Sequence, residues 1–262
     1  MLKTMTANQT NPMNKAIPYL SVVRVKGEDA SDFLQSQLSA DIAALKPGDN
    51  TPACYCTPKG KVLGLLLVGR DKNGFLLAGN TDLMPGIIKR LQMFVLRSKV
   101  VFSDTEAAAV TSASGPAFGA SREAGVMTDA DAWRAGELLE GIVWLNADTT
   151  DSYIPQMLGF ETIGAVSFQK GCYPGQEIVA RARYLGKVRR KPLIMAVEGS
   201  PVPATGTRVR VLREDQWSDA VVVDSARLDQ HRLVVFTVAP GEPEAAPEQI
   251  EIEGTSYRCA TT

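Results

Sequence analysis

The chain has 262 residues, enough for one large domain or two smaller ones with proper cores, and its 45% hydrophobic and 22% charged residues are a globular balance. With 28 Lys+Arg against 29 Asp+Glu, overall charge argues neither for nor against a nucleic-acid partner. The single histidine, His231, counts against Ser/His/Asp catalysis and multi-histidine metal sites, and the longest apolar run, Val62 to Val68, is far too short to span a bilayer.

Residues 1–17 carry lysines but neither an apolar stretch nor an arginine, and are read as a mobile tail rather than a signal peptide. Residues 19–25 alternate and predict a strand. A helix follows Gly27, with Asp29 as cap and Ala30, Phe33, Leu34 and Leu38 on one face. Beyond the turn at Pro47 to Asn50, strands near 51–56 and 61–70 form a hairpin around Thr57-Pro58-Lys59-Gly60. A third strand, Phe75 to Ala78, leads to a helix capped by Thr81, with a stripe of Leu83, Ile87, Ile88, Leu91, Phe94 and Val95. Val100 to Phe102 adds a strand, which makes this part an antiparallel α+β unit.

Residues 105–130 begin with mostly Ala, Ser, Thr and Gly and read as a shortened insert. Trp133 to Glu140 predicts a short helix stopped by Gly141, and a second helix starts near Pro174. From Pro192 the chain is β-rich, with strand candidates at 193–197, 207–213, 219–224, 232–238 and 249–252. A small barrel or sandwich closes such a set. The expected organisation is a tail (1–17), an α+β body (18–190) and a C-terminal antiparallel β-barrel (191–262).

The stretch that carries most chemistry is Lys170-Gly171-Cys172-Tyr173-Pro174-Gly175-Gln176-Glu177. With Pro174 at the first helical position, Cys172 would precede a helix N-terminus, where free N–H groups favour an anion; Lys170 adds a positive charge. Both favour the thiolate that does nucleophilic, redox or metal chemistry. A buried cysteine in a tight turn is the alternative. Glu177 and Arg181 have the spacing of a helix-surface ion pair. Arg181, Arg183, Lys187, Arg189, Arg190 and Lys191 make a basic run that could hold RNA or another polyanion, or could be a solvated face. Cys54 and Cys56 share one side of a strand; with Cys172 and Cys259 they could form a thiolate cluster site, although no CxxC spacing supports one. Four cysteines in a chain this long suit a reducing, cytoplasmic setting.

The octapeptide closely resembles the signature K-G-C-Y-x-G-Q-E of the YgfZ family, folate-binding relatives of the glycine-cleavage T-protein. Gly27 to Ile42, Pro58-Lys59-Gly60, Tyr153-Ile154-Pro155-Gln156 and Val166-Ser167-Phe168 look like family blocks in family order. The resemblance implies an α+β folate-binding body with a C-terminal β-barrel, tetrahydrofolate as cofactor, and a role in maintaining iron–sulfur enzymes, including those that methylthiolate tRNA. Cys172 matches the functional thiol, with Lys170 beside it. Trp133 matches an aromatic that contacts folate, and Glu140 the carboxylate that holds the pterin's donor edge. Tyr173, Gly175, Gln176, Glu177 and Arg181 are placed at the cofactor by the same resemblance. No metal ligands are implied, and a monomer is expected. Where the family has a tryptophan near the first strand, Tyr19 or Leu20 stands here. No residue matches the T-protein's catalytic aspartate, so an accessory factor using Cys172 and folate is expected ahead of a folate-dependent aminomethyltransferase. An RNA-binding module alone would rest only on the basic run.

Overall fold

The first strand joins four more segments edge to edge in one antiparallel sheet, and its central strands, buried on both faces, are apolar runs with no alternation. In the computed structural model, which describes residues 15–112, 115–121, 124–186, 188–241 and 246–260, the five strands are β1 (Leu20–Lys26), β2 (Asn50–Cys56), β3 (Val62–Asp71), β4 (Gly74–Asn80) and β5 (Val101–Ser103), in the order β2-β3-β4-β1-β5. Successive side chains point to opposite faces. Leu66, Val68 and Leu77 therefore pack under α1 (Ala30–Gln37) and α2 (Met84–Gln92), while Leu65, Leu67 and Ala78 join a second core on the other face.

Two helix ends differ from expectation. Asp29 occupies the cap position of α1, but its carboxylate accepts from the Lys99 backbone N–H at 2.6 Å, tying the helix to the chain entering β5. Thr81 does not cap α2, which starts after Leu83 with Pro85 in its first turn and ends at Gln92. Phe94 falls outside it and is 45% exposed.

The Ala/Ser-rich stretch is not a bare linker. It folds into a hairpin of β6 (Ala107–Ser112) and β7 (Gly115–Ala120), whose small residues let it lie close to the sheet. Gly69 of β3 leaves room for the Phe118 ring. The segment expected as a mobile tail is ordered at its end: Ile17 is buried and donates its N–H to the Ala109 carbonyl at 2.8 Å. Residues 1–14 lie outside the described residues.

After α3 (Ala130–Leu139) and α4 (Gln176–Tyr184) come β8 (Arg190–Glu198), β9 (Arg208–Arg213), β10 (Gln216–Arg227), β11 (Arg232–Pro240), β12 (Gln249–Ile252) and β13 (Thr255–Ala260). They close a barrel in the order β10-β11-β8-β13-β12-β9. The expected α+β body with a C-terminal antiparallel barrel is borne out. The barrel strand that sequence reading missed is β13, a short strand that alternates between exposed Ser256 and Arg258 and half-buried Tyr257 and Cys259. On β11, Leu233 and Val235 fill the barrel, while Val234, Phe236 and Val238 join the sheet's second core. One barrel wall therefore lies against the body, with α3 in the seam.

The octapeptide enters α4 differently from the expectation. Pro174 lies ahead of the helix, and Gly175 is its cap, with φ +83°. That left-handed conformation cannot continue a helix and favours glycine. A side chain there would also come within 2.7 Å of the Gly60 nitrogen and closer still to the Thr57 carbonyl. The expected consequence is that Gly175→Ala costs about 2–3 kcal/mol in urea unfolding. Gly171→Ala, with nothing within 4 Å of its added carbon, should change stability by no more than about 0.5 kcal/mol. Equal effects would show that the hairpin and the octapeptide are not interlocked.

Candidate functional site

Helix α3 begins with a satisfied cap: the Asp129 carboxylate accepts from the Ala132 N–H at 3.0 Å. Its 3.6-residue period places Trp133 and Glu137 one turn apart on one face. Both line a cavity of about 760 Å³ with Gly115, Pro116, Ile142 and Ile163, a size typical of small-molecule sites. Glu137 is 4% exposed. Its Oε2 accepts from the Trp144 indole at 3.1 Å and from the Tyr19 hydroxyl. Its Oε1 and the Trp133 Nε1 are buried without a hydrogen-bond partner.

A buried carboxylate with an open acceptor beside a buried indole donor is costly unless something meets it. Burial pushes the Glu137 carboxyl up to about 7, held back by the Tyr19 and Trp144 donors, by the nearby Trp133 indole N–H and by the Arg134 charge. The Trp133 N–H is close enough to favour the carboxylate although the pair lacks hydrogen-bond geometry. Burial and the adjacent carboxylate push the Tyr19 hydroxyl above its ordinary range, so it remains a donor.

Behind the cavity, Arg134 grips Asp224 of β10 with two hydrogen bonds, Nε to Oδ2 at 2.9 Å and Nη2 to Oδ1. The register of β10 against β11 shifts between Val222 and Asp224. Such a bulge re-aims a side chain, and Asp224 is 3% exposed although it sits on a strand of valines. The pair fastens α3 to the barrel.

Cys172 is exposed and is not among the cavity-lining residues. Lys170 is not turned to the thiol. Its ammonium donates to the carbonyls of Leu38 at 2.5 Å, Ala40 at 3.0 Å and Gln35, at the C-terminal end of α1. Cations suit that end of a helix. Burial lowers its pKa to about 8, while three carbonyl oxygens hold its protons in place. Together with Gly175 against the β2–β3 turn, this contact fixes both ends of the cysteine loop.

With the fold and both centres described, the chain can be compared with known proteins. No family model matches it. It is 29% identical over 227 residues to an uncharacterized protein of Haemophilus influenzae, covering 78% of this chain and 81% of that one. It is 24% identical over 274 residues to the tRNA-modifying protein YgfZ of Klebsiella pneumoniae, covering 86% and 84% of the two chains. The crystal structure of the glycine cleavage system aminomethyltransferase T from Bartonella henselae superposes with a TM-score of 0.68 at 15% identity, over 95% of this chain and 84% of that one. The chain has a T-protein-like fold of the YgfZ type.

On that fold the residues singled out in the sequence form two groups. Trp133 and Glu140 line the cavity. Glu140 sits at the exposed C-terminal end of α3, whereas the buried carboxylate one turn earlier, Glu137, carries the open acceptor. Lys170, Tyr173, Gly175, Gln176, Glu177 and Arg181 gather with Cys172 at α4 and are not among the lining residues. Tyr173 is buried, and its ring lies 5.5 Å under the Lys170 ammonium. The ion pair on α4 is Arg183 with Glu161 at 3.0 Å. Of the basic run, Lys187 lies outside the described residues, and the other cations are spread over α4, the connector and β8.

Cys54 and Cys56 are buried side by side, and the Cys56 thiol is pushed up by its hydrogen bond to Cys54 and by burial; burial alone pushes Cys259 up to about 12. Among the described residues no three His, Cys, Asp or Glu side chains come together as metal ligands. His231 lies exposed in the β10–β11 turn. Glu137, Tyr19, Trp144, Arg134 and Asp224 are the members sequence reading missed. The local signal was the four-residue step from Trp133 to Glu137; Arg134 shares α3 with them and Trp144 follows seven residues after Glu137, whereas Tyr19 and Asp224 come from distant segments, the latter from the barrel.

Two expected outcomes follow. Glu137 keeps its proton in the fold where the unfolded chain loses it, so stability should fall as pH rises from the ordinary 4.5 through about 7. Tryptophan emission, from Trp133 and Trp144, should titrate with a midpoint near 7, and Glu137→Gln should abolish both effects. A flat emission profile from pH 5 to 8 in the parent protein would refute this assignment. Lys170→Met should cost about 2–3 kcal/mol by stranding its carbonyl acceptors, measured by urea unfolding; no loss would mean that those carbonyls are solvated.

Proposed function

We propose that the protein is a folate-binding factor that helps maintain iron–sulfur enzymes, including those that methylthiolate tRNA, acting through Cys172 and bound tetrahydrofolate in a reducing cytoplasm. The observation that carries this reading is the open Oε1 of Glu137 beside the buried Trp133 indole in the cavity at the seam. The residues fit the group. The donor edge of a pterin suits a carboxylate with a free acceptor, and a flat ring suits contact with an indole. Bound folate would supply a carrier for a one-carbon unit. The chain's own part is to hold it: Glu137 accepts from the ring, Tyr19 and Trp144 orient that carboxylate, and the Arg134–Asp224 pair keeps α3 against the barrel. The relative named a tRNA-modifying protein supports the tRNA side of the proposal. Cys172 and the octapeptide form a separate, exposed centre where a partner can reach the thiol.

Glu137 also favours a second reading, a folate-dependent aminomethyl- or one-carbon transferase. A carboxyl raised to about 7 can exchange a proton near neutral pH. Turnover with an aminomethyl-lipoyl donor and tetrahydrofolate would establish that reading, and its absence would leave the accessory role.

Titration with tetrahydrofolate should quench tryptophan fluorescence. Trp133→Ala should weaken binding at least tenfold, and Glu137→Gln about tenfold, with the parent's affinity improving as pH rises through 7. Cys172→Ala should bind as the parent does, yet fail to restore methylthiolated tRNA in cells lacking the protein. Unchanged affinity in Trp133→Ala would put the folate site elsewhere.

A further inference from the structure

Helix α4 buries little of itself. Of its nine residues only Val179 is buried; it is fastened by the Gln156 side chain donating to the Val179 carbonyl, the Arg183–Glu161 pair, the contact of Arg183 and Tyr184 with the Phe168 ring, and the approach of Ile178 to Gly60 beside its Gly175 cap. A helix this short has little stability of its own in water. Its outward side nevertheless displays large apolar side chains: Ile178 is 44% exposed, Tyr184 66% and Leu185, just past its end, 84%. Single exposed hydrophobics are ordinary, but a cluster on one little-buried helix marks an interaction surface. The cluster is partly pre-arranged, because Tyr184 stands edge-on to Phe168 at 6.0 Å while Arg183 lies 4.3 Å over the same ring. The exposed thiol of Cys172 lies on the loop that leads into this helix.

We propose that the outward face of α4, from Ile178 to Leu185, is the docking surface for a protein partner that presents apolar side chains rimmed by carboxylates to the Cys172 loop. Charge selects the rim: Arg181 and Arg183 on the helix and Arg189 and Arg190 beyond it are exposed, against Glu177 as the one acid of the helix. The aliphatic residues select protein over RNA. Phosphates take cations, and bases stack on aromatic faces, whereas Ile178 and Leu185 gain only by removal from water against other apolar atoms. The inference rests on the reading that Cys172 serves iron–sulfur enzymes, and it deepens that reading by assigning where such an enzyme, or a component of its assembly, sits.

The test uses the full chain with a benzophenone amino acid at position 185, and at Leu96, also highly exposed, as the control position. Photolysis in cells, followed by mass spectrometry, should join position 185 to an iron–sulfur protein. That protein, purified, should bind the parent and lose at least tenfold in affinity against Leu185→Asp and against Tyr184→Ser with Leu185→Asp. Both variants should keep the parent's melting temperature, tetrahydrofolate affinity and Cys172 alkylation rate. Adducts to tRNA instead of protein, equal affinity for parent and variants, or labelling no different from Leu96 would overturn the docking surface. The two readings fail separately. If Cys172→Ala leaves tRNA methylthiolation intact while the affinity loss persists, the proposed function fails and the surface stands. If Cys172→Ala abolishes methylthiolation while Leu185→Asp binds and complements fully, only the surface fails.

Discussion

Keeping a carboxylate buried in the seam between an α+β body and a β-barrel is the constraint on which the rest of the arrangement depends. Glu137 satisfies one oxygen with two donors, Tyr19 from before β1, far away in the chain, and Trp144 from just after α3. It leaves the other without a partner beside the cavity. An ion this deep is tolerated only if its neighbours are fixed. The fixing comes from α3, wedged between the sheet's second core and the barrel and clamped by Arg134 to Asp224. The bulge that turns Asp224 inward, the valine and phenylalanine face of β11, and the ordering of Ile17 under the small hairpin all serve the same seam.

The second centre is built on the opposite principle. Around Cys172 the backbone is fixed while the side chains are left open. Lys170 spends its three donors on backbone carbonyls in and just past the last turn of α1, and Gly175 is pressed against the β2–β3 turn where no side chain fits. Between these anchors the thiol stands in water, followed by a helix that buries one residue. A cavity lined by Trp133 and the buried Glu137 suits a small planar ligand, and a rigid exposed loop suits a macromolecule. On the proposed function, their separation would give the two tasks to different surfaces of one fold.

Helix periods, the strand-forming runs, the hairpin around Thr57 to Gly60 and the octapeptide were legible in the sequence because each is a local property. The chain's own pattern determined an α+β body followed by a β-rich region and Cys172 as the thiol in a special setting, while Trp133 was singled out only through the family resemblance. Only the tertiary structure decided the rest. Glu137 rather than Glu140 is the buried carboxylate because burial depends on what packs against a helix, and Tyr19 and the barrel residues lie far away in sequence. Lys170 became an anchor rather than an activator of the thiol because α1's carbonyls, more than a hundred residues earlier, come within reach only after folding. Pro174 stayed outside the helix because the close approach of Gly60 requires a left-handed Gly175, and a steric contact between distant loops leaves no local signature in the sequence.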